Sequence, residues 1–135
     1  AFVHLHNHTE YSLLDGLTHV KDMVRRAADL DMPAVAITDH GGEKETGKKV
    51  KPIYGCEVYF TTDEELRKDV KPKLYHLLLL AKTNEGYHNL LHLVSESHVD
   101  NFYYKPRTTF SMLQKYGHGI IGSSACIAGI IPKLL

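Results

Sequence analysis

Short apolar runs recur along this chain between stretches of helical spacing, and that alternation limits the fold more than any other feature. Residues 34–38 (Ala-Val-Ala-Ile-Thr), 52–60, 74–81 with four leucines in a row, and 119–122 each read as a buried strand. Residues 2–6 read as a strand that precedes them. Thr18 is the expected N-cap of a helix with Val20, Met23, Val24, Ala27 and Leu30 on one face. Asn84 is the expected cap of a helix carrying Tyr87, Leu90, Leu91 and Val94. Thr108 or Thr109 starts a short helix through Met112, Leu113 and Tyr116, and residues 125–135 read as a last helix with Pro132 inside it. Strand and helix in alternation imply parallel βαβ units.

Two connectors break the pattern. Residues 41–49 are polar, contain three glycines and must join two strands, whereas a parallel crossover takes about a dozen residues or more. Residues 61–73 are charged and aperiodic. The expectation is that residues are absent at one or both places. A closed β/α barrel takes about 200 residues or more. These 135 residues therefore read as a single domain, the front part of such a barrel, incomplete near 41–49 and 61–73 and continuing after 135.

Composition narrows the classes. No apolar run approaches the ~20 residues of a membrane span, and no basic segment followed by an apolar one marks a signal peptide. Two cysteines, Cys56 and Cys126, are too few for a disulfide framework and fit a cytoplasmic setting. Sixteen basic and sixteen acidic residues cancel, which argues against gripping nucleic acid by bulk charge. Ten histidines stand out.

Three of those histidines are His4, His6 and His8. Alternate residues of an extended segment share one face, so their imidazoles converge, and imidazole is the commonest side-chain metal ligand. Thr38-Asp39-His40 ends the next apolar run with an acidic and imidazole pair. Together these point to a metal site at the mouth of an α/β fold.

His6-Asn7-His8-Thr9, Tyr11-Ser12-Leu13-Leu14-Asp15-Gly16 and Thr38-Asp39-His40-Gly41 resemble the opening motifs of the PHP (polymerase and histidinol phosphatase) superfamily. Gly55-Cys56-Glu57-Val58-Tyr59, Tyr75-His76-Leu77, Tyr103-Tyr104-Lys105-Pro106-Arg107 and Ala125-Cys126-Ile127-Ala128-Gly129 are similar to its polymerase branch, the N-terminal PHP domains of bacterial DNA polymerase III alpha subunits. The resemblance implies an irregular (β/α)7-type barrel, here only in its first part, around a cluster of two or three divalent ions. Zn²⁺ or Mn²⁺ are the first expectation, with Fe or Mg²⁺ as alternatives. It implies His6, His8, Asp15, His40, Glu57, His76 and Cys126 as ligands, with an Asp-x-His pair still to come after residue 135. Asp39, His40 and Glu57 are the implied catalytic groups. The implied partners are a DNA 3′ end, the remaining polymerase domains and a proofreading exonuclease subunit, with no membrane.

Each position also has a plainer reading. His4 lies deeper in its segment and reads as support. Asp15 before Gly16 reads also as a turn residue, Asp39 as a cap, Glu57 as a solvated charge and Cys126 as a small buried hydrophobe. His76 stands at the start of its strand, whereas barrel sites collect at strand C-terminal ends. Cys56 reads as core, and His19, His88, His92, His98 and His118 as surface groups. Tyr103-Tyr104-Lys105 invites a nucleic-acid reading, but the preferred one has the tyrosines packing a helix end and Pro106 setting an extended linker. Three functions compete: a metal-dependent 3′–5′ exonuclease within a replicative polymerase, a free-standing phosphoesterase of the histidinol phosphatase kind, and a non-catalytic metal-stabilised scaffold.

Overall fold

A computed structural model describes residues 2–12, 16–39, 50–66 and 71–134. The described residues are a mixture of helix and strand, and the chain divides into two compact units, Ala1–Cys56 and Glu57–Leu135. Among the described residues no helix is long and apolar enough to cross a membrane. The connector 41–49, Asp15 and His40 lie outside the described residues.

In the first unit, α1 (Val20–Asp29) buries Val20 and Ala27. Its N-cap is His19, not the expected Thr18, and no side chain caps it. The Thr18 carbonyl instead accepts the Glu10 N–H (3.0 Å), and the Glu10 carboxylate meets the His19 ring. The helix ends in a Schellman turn: Met32 N–H donates to Ala27 O (2.9 Å), Asp31 N–H donates to Ala28 O (3.2 Å), and Asp31 takes a left-handed φ of 52°. The chain then enters β1 (Ala34–Ile37), which pairs in parallel with the Lys51–Tyr54 stretch of β2 (Lys51–Phe60).

Residues 2–6 do not form the expected strand; residues 2–9 carry no regular secondary structure. The His4 carbonyl accepts Ala36 N–H (2.9 Å) and the Asn7 carbonyl accepts Thr38 N–H (3.2 Å). Side chains take the remaining places. The Asn7 amide donates to Ala36 O (3.0 Å), and the Thr38 hydroxyl bridges the Asn7 carbonyl and N–H (2.6 and 3.1 Å).

In the second unit the strand order is β4–β5–β2–β3–β6, with β3 (Tyr75–Ala81), β4 (Phe102–Tyr103), β5 (Lys105–Thr108) and β6 (Ile120–Ser123). β5 runs parallel to β2, but β3 and β6 are antiparallel, with Leu78 opposite Ser123 and Ala81 opposite Ile120. An all-parallel sheet is thus corrected to a mixed one. The segment expected to be a linker is the β4–β5 hairpin. Part of the connector 61–73 is a 3₁₀ turn, Asp63–Leu66.

Leu78, Leu79 and Leu80 are buried in β3, and α2 (Asn84–Val99) packs on β3, on β5 and on α3 (Phe110–Tyr116). The face α2 buries is Gly86, Leu90, Leu93 and Ser97, whereas Leu91 is exposed. The leucine-rich stretch fits two helical faces, and the neighbours chose the other. Thr83 caps α2, accepting Gly86 N–H at 3.0 Å one residue before the expected cap, and Thr109 caps α3.

Where α2 meets α3, the Glu96 carboxylate accepts from Lys115 Nζ and from the Tyr116 hydroxyl, both at 2.8 Å. The Lys115 bond first and the Tyr116 bond second hold the Glu96 carboxyl below its ordinary range. A lowered folded-state pKa adds stability that is complete above the unfolded value and fades as pH falls through the folded one. Urea unfolding of Glu96→Gln should therefore show its full deficit above about pH 5 and a shrinking deficit below about pH 4. A deficit independent of pH contradicts this assignment.

Candidate metal centre

In the first unit, His6 and His8 lie on one side of the extended segment with ring centroids 5.0 Å apart, edge to face. His4 is set apart: exposed, its ring against Phe2 at 4.7 Å. Asp39 is buried at 3% exposure, and its carboxylate is fully engaged. It accepts Thr9 N–H (2.7 Å), the Thr9 hydroxyl and the Ser12 hydroxyl (2.5 Å). Ser12 Oγ also lies 3.4 Å from His8 Nδ1. Asp39 therefore holds the turn after His8, and through Ser12 it orients the His8 ring. The sequence reading missed Thr9 and Ser12, since nothing in their types marks them. Gly16 permits the return of this turn: a Cβ there would stand 2.0 Å from Thr9 O.

In the second unit, Glu57, His76 and Cys126 come together. One ligand atom from each lies within 4.8 Å of the others. The Glu57 carboxylate contacts His76 Nδ1. Cys126 Sγ lies 3.5 Å from His76 Nδ1 and 3.9 Å from Glu57 Oε1. Glu57 is only 8% exposed, which sets aside its reading as a solvated charge.

The position of His76 at the start of β3 follows from strand direction. Because β3 runs antiparallel to β6, the start of β3 lies beside the end of β6, where the Cys126 loop begins. His76 N–H donates to Ala128 O (3.0 Å) and pairs with Gly129 in an isolated bridge. The loop is tight. Ala125 adopts a left-handed φ of 56°, Gly129 N–H donates to Cys126 O (2.8 Å), and a Cβ on Gly129 would stand 1.8 Å from Ser124 O. This turn replaces the first half of the expected last helix, leaving α4 as Ile130–Leu134. Ala128 N–H donates to Cys126 Sγ (3.4 Å), fixing the direction of the sulfur. Tyr59, two residues after Glu57 on β2, sets its ring edge-on to His76 at 5.3 Å. That neighbour was legible from strand alternation.

Carboxylate oxygen, imidazole nitrogen and thiolate sulfur in one pocket of space form a donor set suited to Zn²⁺, Mn²⁺ or Fe. A buried carboxylate also needs a compensating positive charge, which a divalent ion supplies. Cys56 is buried apolar core, and His19, His88, His92, His98 and His118 are exposed as expected.

A sequence model of the PHP domain matches residues 4–135. The chain belongs to the PHP domain family. This PHP domain is 45% identical to DNA polymerase III subunit alpha of Borreliella burgdorferi, over 99% of the chain and 13% of that protein. It is 43% identical to the subunit of Helicobacter pylori (96% of the chain, 11% of that protein) and 38% identical to that of Treponema pallidum (100% and 12%). The chain thus spans about an eighth of the length of the curated relatives it matches. The aligned stretch of 145 positions in the Borreliella protein exceeds the 135 residues here, so that relative carries residues with no counterpart in this PHP domain.

If Cys126 is a ligand, loading the full chain with Co²⁺ should give a thiolate-to-cobalt charge-transfer absorption that vanishes in Cys126→Ser. The same absorption in the variant excludes that sulfur.

Proposed function

We propose that this PHP domain is part of a DNA polymerase III alpha subunit and hydrolyses phosphodiester bonds at a DNA 3′ end, in the manner of a proofreading exonuclease. The observation that carries the reading is the meeting of Glu57, His76 and Cys126. The similarity of nearly the whole chain to polymerase subunits supports the parent protein, a cytoplasmic nucleotidyltransferase whose partners are DNA, its other domains and an exonuclease subunit.

The proposed ligand set is His6, His8, Asp15, His40, Glu57, His76 and Cys126, for two or three divalent ions with Zn²⁺ or Mn²⁺ first. When bound, such ions supply Lewis acidity toward phosphoryl oxygens and make water nucleophilic near neutral pH. The residues of this chain do the rest. Glu57 contributes negative charge in a largely dry setting, where its field is strong. Tyr59 and the Ala128 carbonyl fix His76, the first by ring contact and the second through the backbone. Beside His40, Asp39 was expected either to orient a ligand or to accept a proton; its bonds to Thr9 and Ser12 favour the first, as a positioning group for His8 through Ser12.

The full chain with Mn²⁺ or Zn²⁺ should release nucleotides from the 3′ end of single-stranded DNA, and His76→Ala should lower the rate by about 100-fold or more. Binding of metal without release of nucleotides leaves the scaffold role. Turnover of small phosphate monoesters but not DNA leaves the free-standing phosphoesterase.

A further inference from the structure

The β4–β5 hairpin lies one side chain away from the donor trio and has an outer face that the fold does not explain. Its single connecting residue is Tyr104, which is 81% exposed. Tyr104 has a φ of +59°, the left-handed region where a bulky side chain is strained and glycine or asparagine is the usual occupant. Folding alone therefore favours a different residue at this place. Strain retained with an exposed side chain points to a use for that side chain.

The neighbours define the use. Phe102 on β4 is 49% exposed, and the Tyr103 and Tyr104 rings meet edge to face at 4.6 Å. Lys105, next in sequence and exposed, places Nζ 5.1 Å from the centre of the Tyr59 ring. Tyr59 in turn touches His76. A cation thus reaches the ring that touches His76, and two exposed aromatic rings share its hairpin. Tyr104 does not pack a helix end, as the linker reading expected: it is exposed, while Tyr103 is half-buried under the Arg107 guanidinium at 5.4 Å.

The hairpin is also firmly held. Arg107 is 1% exposed, and its guanidinium donates to three backbone carbonyls: Asn101 (2.9 Å), Glu65 (3.1 Å) and Leu66 (3.0 Å). Thr61 N–H donates to Thr108 O (2.9 Å) beyond the β2–β5 pairing. A rigid support behind exposed rings lowers the ordering cost of binding.

We infer that the hairpin is the docking surface for the last nucleotides of a single DNA strand, with Tyr104 and Phe102 stacking on bases and Lys105 meeting a phosphate. Bases of any sequence present a π-face, so the surface is indifferent to sequence. The phosphates supply the charge complementary to Lys105, and a formally neutral chain needs such a local cation because it has no bulk attraction to offer. The inference rests on the exonuclease reading for its choice of substrate, but its test is separate.

The test is photocrosslinking of the full chain, with chelator present so that no hydrolysis occurs, to a single-stranded oligonucleotide bearing 5-iododeoxyuridine at its 3′ end. Mass spectrometry of the adduct should map it to Tyr104 or Phe102. Tyr104→Gly should lose the Tyr104 adduct, keep or raise the thermal unfolding midpoint, and raise KM for single-stranded DNA about tenfold with little change in kcat. Lys105→Gln should raise KM and flatten its dependence on salt. Adducts mapped only outside residues 102–105, or an unchanged KM in both variants, overturn the inference and leave the patch for a protein partner. An adduct at Tyr104 without nucleotide release in metal removes the exonuclease reading and leaves the docking surface standing.

Discussion

A carboxylate at Glu57 that is almost withdrawn from water sets the terms for the second unit. Burying such a charge costs several kcal/mol unless a partner offsets it. Here the partners are the His76 ring and, 3.9 Å away, the Cys126 sulfur. Neither partner would reach it without the antiparallel pairing of β3 and β6, which sets the start of one strand beside the end of the other. Nor would Cys126 be in place without a turn that needs a left-handed Ala125 and no side chain at Gly129. Local strain and tight packing thus hold the Cys126 loop against His76.

The first unit uses the opposite device. Asp39 is deeply buried, yet its cost is met by hydrogen bonds from Thr9 and Ser12. A carboxylate so occupied is an anchor. Its consequence is geometric: the chain turns after His8, with Ser12 placed between Asp39 and that ring. Asp39 and Glu57, both buried, thus have different partners.

Much of this was legible in the sequence, and the failures have physical causes. The buried strands at 34–37, 51–60 and 75–81 and the three main helices follow from apolar runs and periodicity. Strand direction was not legible, because an apolar run looks the same either way; the place of His76 at the start of its strand follows from β3 and β6 running antiparallel. Ala, Cys, Ile and Ala are compatible with a helix, so the Cys126 loop is not legible from residue types; a left-handed Ala125 breaks the helix there. The β4–β5 hairpin was hidden by its connection through a tyrosine, where turn chemistry would put glycine or asparagine. Thr18 lost its capping role to a backbone bond with Glu10. At the site, Glu57, His76 and Cys126 follow from motif resemblance and are neighbours in space, and Tyr59 follows from strand alternation, while Thr9 and Ser12 emerge only from the fold.

The metal-holding role proposed for Glu57 rests on its burial and its neighbours. The most direct measurement is metal content by elemental analysis of the purified full chain, wild type against Glu57→Gln, an exchange that keeps shape and removes charge. Bound transition metal is expected in the wild type and at least one equivalent fewer in the variant, with the thermal unfolding midpoint confirming that the variant is folded. Equal metal content in the two folded proteins, or none in either after growth in supplemented medium, would contradict it.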